Sequence, residues 1–352
     1  MAKVAKELPG FEFDPVAIER KLAAVREEII DRKPFCRLIH FRREVERDDP
    51  RLIVVAPLSG HTSALIRDTL AALLIDHDLF LMDWVDARDV AVADAQFSLE
   101  DNITYVIEAL RVLGGDSHLL GLCQSAIPVL AATAILAEAH DRVQPRSMVL
   151  ISGAIDPRIN STRIGRLAAR GSIDWFERYA ITVAAEPYAG RGRHVYPAAA
   201  QRSALTAYFM RHLATRGELW QKWVDDDGQD PARFPFFAGF FSLMDLTAEF
   251  FIDTLKFVFQ DFALPSGALL WRGSQVDLAA IRQTALMTIE GEFDDVSGLG
   301  QTRIAHALCP NIPMARRCHH LQHGVGHFGT FHGEPWRAEI MPQIRQFIQR
   351  AG

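Results

Sequence analysis

Short apolar runs alternate with longer amphipathic segments along the first half of the chain. Four runs of five or six residues are typical of buried strands: residues 52–56, 79–84, 118–122 and 147–152. Three segments between them repeat apolar side chains at helical spacing: residues 62–75, 99–113 and 125–140. This alternation predicts strand–helix–strand units, in which most strands of one sheet run parallel.

The alternation stops near residue 156 and resumes near residue 282. Residues 157–281 are richer in aromatic side chains and helical spacing, whereas residues 285–290 and 317–322 are again strand-like. We therefore predict an α/β fold with a mostly parallel central sheet and helices on both faces. Residues 1–156 and 282–352 form its core, and residues 157–281 are inserted as a mainly helical cap.

Two details of the pattern give further expectations. Residues 15–32 carry apolar side chains at helical spacing, which predicts a helix near the N-terminus. The aromatic side chains of residues 234–251 are expected first of all to form the core of the cap. Exposed members of that run would offer an apolar surface to a substrate.

The composition indicates a soluble protein of the cytoplasm. The chain has 352 residues, 49% of them hydrophobic, and a formal net charge of −6, so we expect a large core and no nucleic-acid partner. Residues 1–10 lack an export signal, and no stretch approaches the ~18 apolar residues of a membrane span. The four cysteines, Cys36, Cys123, Cys309 and Cys318, form no CxxC pair, which favours reduced thiols.

One cysteine lies where a predicted strand meets a predicted helix. Cys123 is the third residue of the segment Gly-Leu-Cys-Gln-Ser at residues 121–125. This context is typical of the nucleophile elbow of α/β-hydrolases, Gly-x-nucleophile-x-Gly, with cysteine in place of the usual serine and Ser125 in place of the last glycine. A helix N-terminus favours the nucleophilic thiolate. The five residues alone fit a buried structural cysteine equally well.

Two later segments offer the partners of a nucleophile. In α/β-hydrolases an acid and then a histidine follow the nucleophile along the chain. Asp294 comes just after the strand-like residues 285–290, and His327 lies on a loop after residues 317–322. We predict that His327 takes or holds the Cys123 proton and that Asp294 orients the imidazole and stabilises the imidazolium.

Further expectations concern the residues next to Asp294 and His327. Asp295 is expected to point away or to cap the following turn. Gly324, Gly326 and Gly329 flank His327 and are expected to let the backbone bend sharply. A turn acid and a loop histidine are ordinary features taken singly, but their order and their place after strands favour a triad.

The loop after the first apolar run is a candidate for the oxyanion hole. In this fold that loop supplies one N–H group, and the residue after the nucleophile supplies the other. We assign these roles to Gln124 and to Leu58 or Ser59. The sequence leaves open which amide of residues 58–60 points inward, and an ordinary turn rich in Ser and Gly remains the alternative.

Seven segments carry a resemblance that covers most of the chain, from about residue 33 to residue 348. They are residues 33–41, 56–61, 83–88, 121–124, 188–193, 244–250 and 290–302. With them the chain resembles the intracellular poly(3-hydroxybutyrate) depolymerases of bacteria, and residues 294–331 are the most specific part. The resemblance implies an α/β-hydrolase with a cysteine nucleophile at Cys123, and its acid and histidine fall on Asp294 and His327. It also implies hydrolysis of a storage polyester to 3-hydroxybutyrate or short oligomers, at the surface of polymer granules.

Other activities fit the same residues. A polyhydroxyalkanoate synthase shares the fold and the triad but transfers hydroxyacyl groups from CoA, and a thioesterase or a small-ester hydrolase would also use them. A catalytically inactive granule-binding protein belongs to a different class, which the intact set Cys123, Asp294 and His327 disfavours. We expect no cofactor, and a homo-oligomer is left open.

A metal protein is the third class considered. His319, His320, His323, His327 and His332 lie close together, with Cys318 beside them. Their spacing fits no standard zinc motif, and strand alternation would split these side chains between two faces. We therefore take His319 and His320 as strand residues and expect no metal.

Overall fold

The largest sheet of the molecule has eight strands. The computed structural model describes residues 10–18, 21–45, 47–225 and 236–352. The strands are β1 (Val25–Lys33), β2 (Cys36–Arg43), β3 (Arg51–Val55), β4 (Asp78–Trp84), β5 (Ser117–Leu122), β6 (Ser147–Ile151), β7 (Ala285–Gly291) and β8 (Arg317–Gln322). All six predicted strands, β3 to β8, are confirmed within one residue at each end.

The strand order is β1-β2-β4-β3-β5-β6-β7-β8. Strands β3 to β8 pair in parallel, whereas β2 runs antiparallel to β1 and β4. The carboxyl ends of parallel strands meet at one edge, and ligands of open α/β sheets bind outside that edge. The loops after β3, β5, β7 and β8 therefore converge there.

Helices of the core surround this sheet. They are α1 (Arg67–Leu73), α2 (Leu99–Leu113), α3 (Ala126–Glu138), α10 (Ala305–Leu308) and α11 (Met341–Ala351). Helix α2 begins at a capping box formed by Ser98 and Asp101 and ends at Gly114, whose φ is 77°. The sheet residues Leu119 and Leu120 are fully buried, as expected for strands covered on both faces.

The predicted N-terminal helix is wrong. Within residues 15–32, the chain forms the paired strands Val16–Ile18 and Lys21–Ala23 and most of β1. The register of β1 against β2 shifts between Ile29 and Asp31. Such a bulge breaks the two-residue alternation of a strand, so apolar residues recur at a spacing that resembles a helix.

The segment between β6 and β7 is mainly helical. Its helices are α4 (Arg163–Arg170), α5 (Ile173–Tyr179), α6 (Ala198–Thr215), α7 (Glu218–Asp225), α8 (Phe236–Phe240), α9 (Ala248–Asp253) and the π-helix Thr254–Gln260. The sequence did not predict its small sheets, which are made of Thr182–Val183, His194–Tyr196 and Leu246–Thr247 and of Leu270–Trp271 and Ser274–Gln275. The boundaries of core and cap stay a prediction.

The aromatic run of the cap faces inward. Phe236, Phe240 and Phe250 are buried, and Phe237 and Phe241 are half-buried. Residues 234–235 lie outside the described residues. The aromatic run is therefore cap core, as expected first, and exposed aromatic side chains must be sought elsewhere. Within the described ranges, no helix is both long and apolar enough to cross a bilayer.

Candidate active site

Cys123 occupies a tight corner between β5 and α3. Its φ is +52°, in the left-handed region that side chains rarely adopt. A 3₁₀ turn over Cys123–Ser125 follows, and α3 begins at Ala126. A Cβ atom at Gly121 would lie 3.0 Å from Val129 Cγ2, so the close approach of α3 favours glycine there. The corner has the strained strand–turn–helix geometry of a nucleophile elbow.

Ser125 replaces the last glycine of the elbow pattern and has a structural role. Its buried hydroxyl lies 2.9 Å from the carbonyl oxygens of Val55, Ala56 and Leu122. The hydroxyl thereby links the end of β3 to the end of β5 and stabilises the corner. Because it donates to carbonyl oxygens inside the protein, it is a poor candidate for a second nucleophile.

Asp294 and His327 are paired at the same edge of the sheet. The Nδ1 atom of His327 lies 2.9 Å from Oδ2 and 3.0 Å from Oδ1 of Asp294, and both residues are buried. The Oδ1 atom also accepts from the backbone N–H groups of Val296 and Ser297 at 2.9 and 2.8 Å. These bonds hold the carboxylate in one orientation, so that it also fixes the imidazole ring.

Cys123 lies near His327, close enough to act on the charge of its ring. Burial alone would lower the pKa of His327, but the Asp294 carboxylate and Cys123 together hold this pKa well above its usual value. The raised pKa favours the imidazolium form of His327. The structure thus brings together the three residues predicted from sequence.

Two of the three predicted oxyanion-hole residues line a small cavity near the elbow. Leu58 and Gln124 both line it, together with Phe250 and Thr254 from the cap. The Gln124 side chain donates to Thr254 Oγ1 at 3.1 Å. Ser59 is exposed, and its hydroxyl lies 3.4 Å from Nδ1 of His61. The oxyanion-hole roles of Leu58, Ser59 and Gln124 stay a prediction.

His61 was not singled out from the sequence. Burial and the nearby His327 lower the pKa of His61 to about 4, so its imidazole is neutral at neutral pH. The residue also pairs through its backbone with Leu243 of the cap. The signal that could have found it is its position directly after the Ser-Gly pair of the oxyanion loop.

Asp295 points away from the histidine and into the cap. Its Oδ1 atom accepts from the Tyr208 hydroxyl at 2.7 Å, and its Oδ2 atom lies 2.5 Å from Arg211 Nη2 and 3.2 Å from His212 Nε2. The turn that follows is capped by Asp294 instead, through its bonds to the next backbone N–H groups. Of its two expected roles, Asp295 therefore takes the first, pointing away, and its carboxylate is bound by donors of helix α6.

Two of the glycines around His327 allow neighbouring residues to pack closely. Only Gly324 of the three has a positive φ, at +74°. A Cβ atom at Gly326 would lie 2.4 Å from Oε2 of Glu218, and one at Gly329 would lie 2.6 Å from Cβ of Val325. The sharp bend expected at Gly326 and Gly329 stays a prediction, and close contacts exclude a side chain at both.

The remaining histidines of the C-terminal segment are dispersed. His319 and His320 lie on β8, where His319 Nδ1 is 2.9 Å from Thr288 Oγ1 and His320 Nε2 is 2.8 Å from Gln322 Oε1. Their assignment as strand residues is confirmed. In the part of the chain that the structure describes, no three His, Cys, Asp or Glu side chains are gathered as metal ligands.

Comparison with solved structures defines the fold. A hypothetical protein from Pseudomonas aeruginosa is 11% identical with a TM-score of 0.52, over 99% of this chain and 100% of that one. The 2-hydroxy-6-oxo-6-phenylhexa-2,4-dienoate hydrolase from Rhodococcus sp. strain RHA1 is 11% identical with a TM-score of 0.51, over 93% and 99%. At such identity the likeness shows the fold alone, which is that of the α/β-hydrolases.

The sequence places the chain more narrowly. A family model described as "PHB de-polymerase C-terminus" matches residues 152–352, more than half of the chain and the part that holds Asp294 and His327. The chain therefore belongs to the PHB depolymerase family. No curated protein sequence matches it. Membership of this family, together with the hydrolase fold, supports an ester hydrolase.

Proposed function

We propose that this protein is an intracellular poly(3-hydroxybutyrate) depolymerase that hydrolyses its polyester through Cys123, His327 and Asp294. The observation that carries the proposal is the position of His327, whose ring is paired with Asp294 and lies near Cys123 at the carboxyl edge of the sheet. Family membership supports a polymer of 3-hydroxybutyrate as the substrate and its granules as the partner.

The arrangement suits a two-step acyl transfer. The Cys123 thiolate attacks the ester carbonyl carbon, and the resulting oxyanion is held by the backbone N–H of Gln124 and one N–H of residues 58–60. The imidazolium of His327 then gives its proton to the leaving alcohol oxygen as the carbon–oxygen bond breaks, which leaves a thioester on Cys123.

Hydrolysis of the thioester restores the enzyme. Neutral His327 removes a proton from water, whose oxygen attacks the thioester carbonyl, and the Cys123 thiolate departs as the imidazolium re-forms. The product is a hydroxy acid or a shortened chain that ends in a carboxylate. Asp294 keeps the ring in the tautomer that serves both steps and stabilises each imidazolium.

We expect the cap to move when a polymer chain enters this site. The cavity beside the elbow, lined by Leu58, Gln124, Phe250 and Thr254, has a volume of about 10 Å³. That is room for about one water molecule, far less than a polyester chain needs. Phe250 and Thr254 belong to α9 and the π-helix, so we expect these elements to shift, and lids over hydrolase sites move in microseconds to milliseconds.

We expect exposed aromatic residues of the cap to serve the polymer more than the chemistry. Trp175 and Trp223 are 53% and 52% exposed, although both also contact neighbouring rings. Replacing either by Ala should lower hydrolysis of amorphous granules several-fold and leave kcat/KM for p-nitrophenyl butyrate within about twofold, because apolar surface favours binding to an apolar polymer. Equal losses on both substrates at an unchanged Tm would mean that these residues only hold the cap together.

To test the proposed function, the protein is incubated with amorphous poly(3-hydroxybutyrate) granules, with and without CoA, and the products are identified. We expect release of 3-hydroxybutyrate or its oligomers at a rate independent of CoA. Formation of 3-hydroxybutyryl-CoA would assign an acyltransferase instead. If the protein hydrolyses p-nitrophenyl butyrate but releases no product from granules, it is an esterase that acts on another class of substrate.

A further inference from the structure

The cap contacts both triad loops next to the proposed catalytic residues. Helices α6 and α7 form a hairpin joined by Arg216 and Gly217, which we call the α6–α7 hairpin. Glu218 at the start of α7 reaches the loop of His327, and three residues near the end of α6 reach the loop of Asp294. One structural unit of the cap thus holds the two loops that must meet at Cys123.

Glu218 binds the backbone directly after His327. Its carboxylate accepts from the N–H of Phe328 at 3.2 Å and from the N–H of Gly329 at 2.5 Å. These groups open the 3₁₀ turn Phe328–Thr330, and the first N–H groups of a helical turn have no partner within it. A carboxylate there satisfies both donors and favours one orientation of the turn that carries the imidazole.

The sequence leaves space for this carboxylate. A Cβ atom at Gly326 would lie 2.4 Å from Glu218 Oε2, and one at Gly329 would lie 3.2 Å from Glu218 Oε1. Any larger residue at Gly326 would displace the Glu218 side chain or the loop. The approach of Glu218 to the histidine loop is therefore built into the residues on both sides of His327.

Asp295 provides the matching contact on the acid loop. Its carboxylate receives hydrogen bonds from Tyr208, Arg211 and His212, all on α6. Burial acts to raise the pKa of Asp295, but these three partners together lower it well below its usual range, so the carboxylate stays ionised at working pH. Because Asp295 is bonded directly to Asp294 in the chain, a shift of α6 displaces the triad acid.

Four titratable side chains face His327 from four elements. They are Asp294 after β7, Cys123 at the elbow, Glu218 on α7 and His61 on the loop after β3. Burial raises the pKa of Glu218 above its usual value, whereas Lys222, the N–H groups of Gly329 and Phe328, and His327 act to lower it. The Glu218 carboxylate and the His327 imidazole therefore interact electrostatically as well as through the loop.

We propose that Glu218 and Asp295 are positioning residues, through which the closed α6–α7 hairpin aligns His327 and Asp294 with Cys123. The inference rests on the triad of the proposed function. Movement of the hairpin away from the sheet, to admit a polymer chain, would release both loops at once. Cleavage would then follow closure of the cap on the chain, and the cap would control the chemistry as well as access.

The test compares two conservative variants, Glu218→Gln and Asp295→Asn, with two controls from the cap. Glu177→Gln removes an exposed carboxylate from α5, and Gln221→Ala changes an exposed position on α7. With p-nitrophenyl butyrate we expect kcat to fall about 10- to 100-fold in the two conservative variants, with KM within about twofold, because small misplacement of catalytic groups is costly. Both controls should match the wild type.

The pH profile separates positioning from simple loss of stability. Glu218→Gln removes a negative charge beside His327, so the imidazolium is less stabilised and the pKa of His327 falls. The basic limb of kcat/KM, where His327 loses its proton, should therefore move to lower pH in Glu218→Gln and stay in place in Glu177→Gln. Thermal melts of all four variants establish how much of each protein is folded under assay conditions.

The positioning role is overturned if both conservative variants keep the wild-type kcat and the wild-type basic limb. It is equally overturned if kcat falls only in proportion to the folded fraction. The proposed function fails in a different experiment, when the wild type releases no 3-hydroxybutyrate from granules. Hydrolysis of p-nitrophenyl butyrate by the variants tests the alignment of the triad, whereas hydrolysis of granules by the wild type tests the polymer substrate. A failure of one inference is therefore distinguishable from a failure of the other.

Discussion

Replacing Cys123 by Ala is expected to abolish ester hydrolysis while the chain still folds. The variant lacks the only group placed to attack the substrate carbon within the described site, and loss of a nucleophile that acts with a triad costs kcat about 10⁶-fold in comparable enzymes. Alanine is smaller than cysteine and meets the same positive φ of +52°, so we expect little change in Tm. The measurement is kcat for p-nitrophenyl butyrate together with a thermal melt.

Two further variants control this experiment. Cys318→Ala removes another partly exposed thiol, which lies on β8, and should retain full activity. Cys123→Ser should keep a small part of the activity, because a hydroxyl needs full base assistance whereas a thiol beside an imidazolium is already activated. Near-wild-type hydrolysis by Cys123→Ala would exclude Cys123 as the nucleophile.

The second large effect is expected for Asp294→Asn. An Asn amide can turn a donor toward Nδ1 of His327, which favours the wrong tautomer, and the corresponding change in a serine-protease triad lowers kcat about 10⁴-fold. Asp295→Asn, at the next position, should cost far less because Asp295 acts only through helix α6. Comparison of kcat for the two variants at matched Tm shows which aspartate is the triad acid. A larger loss in Asp295→Asn than in Asp294→Asn would show that the acid is wrongly assigned.

The parts of the fold that were predictable have strong local patterns. Strands β3 to β7 are almost entirely buried and therefore appear as mainly apolar runs, which sequence reasoning detects well, whereas β8 is half-buried and carries mostly polar residues. Strand β1 was mistaken for helix because the bulge near Ile29 removes the two-residue alternation. The short strands of the cap are two or three residues long, too short for any periodicity to show.

The candidate site likewise contains some residues that could be predicted from the sequence and others that could not. Cys123, Asp294 and His327 could be predicted because each follows a strand and their order is typical of the fold. Glu218 and His61 have no comparable signal, since they reach the site only through tertiary packing. Glu218 lies 110 residues from Phe328 along the chain, and the Gly residues at 326 and 329 indicate a close neighbour without telling which residue it is.

The central claim, an acyl-enzyme on Cys123, is tested most directly by mass spectrometry after rapid acid quenching of the enzyme with a soluble 3-hydroxybutyrate oligomer. The account predicts a 3-hydroxybutyryl adduct on the peptide that contains Cys123, removed by neutral hydroxylamine as a thioester is, and absent from Cys123→Ala. An adduct on Ser125 or on another residue, or steady hydrolysis of the oligomer by Cys123→Ala, would contradict it.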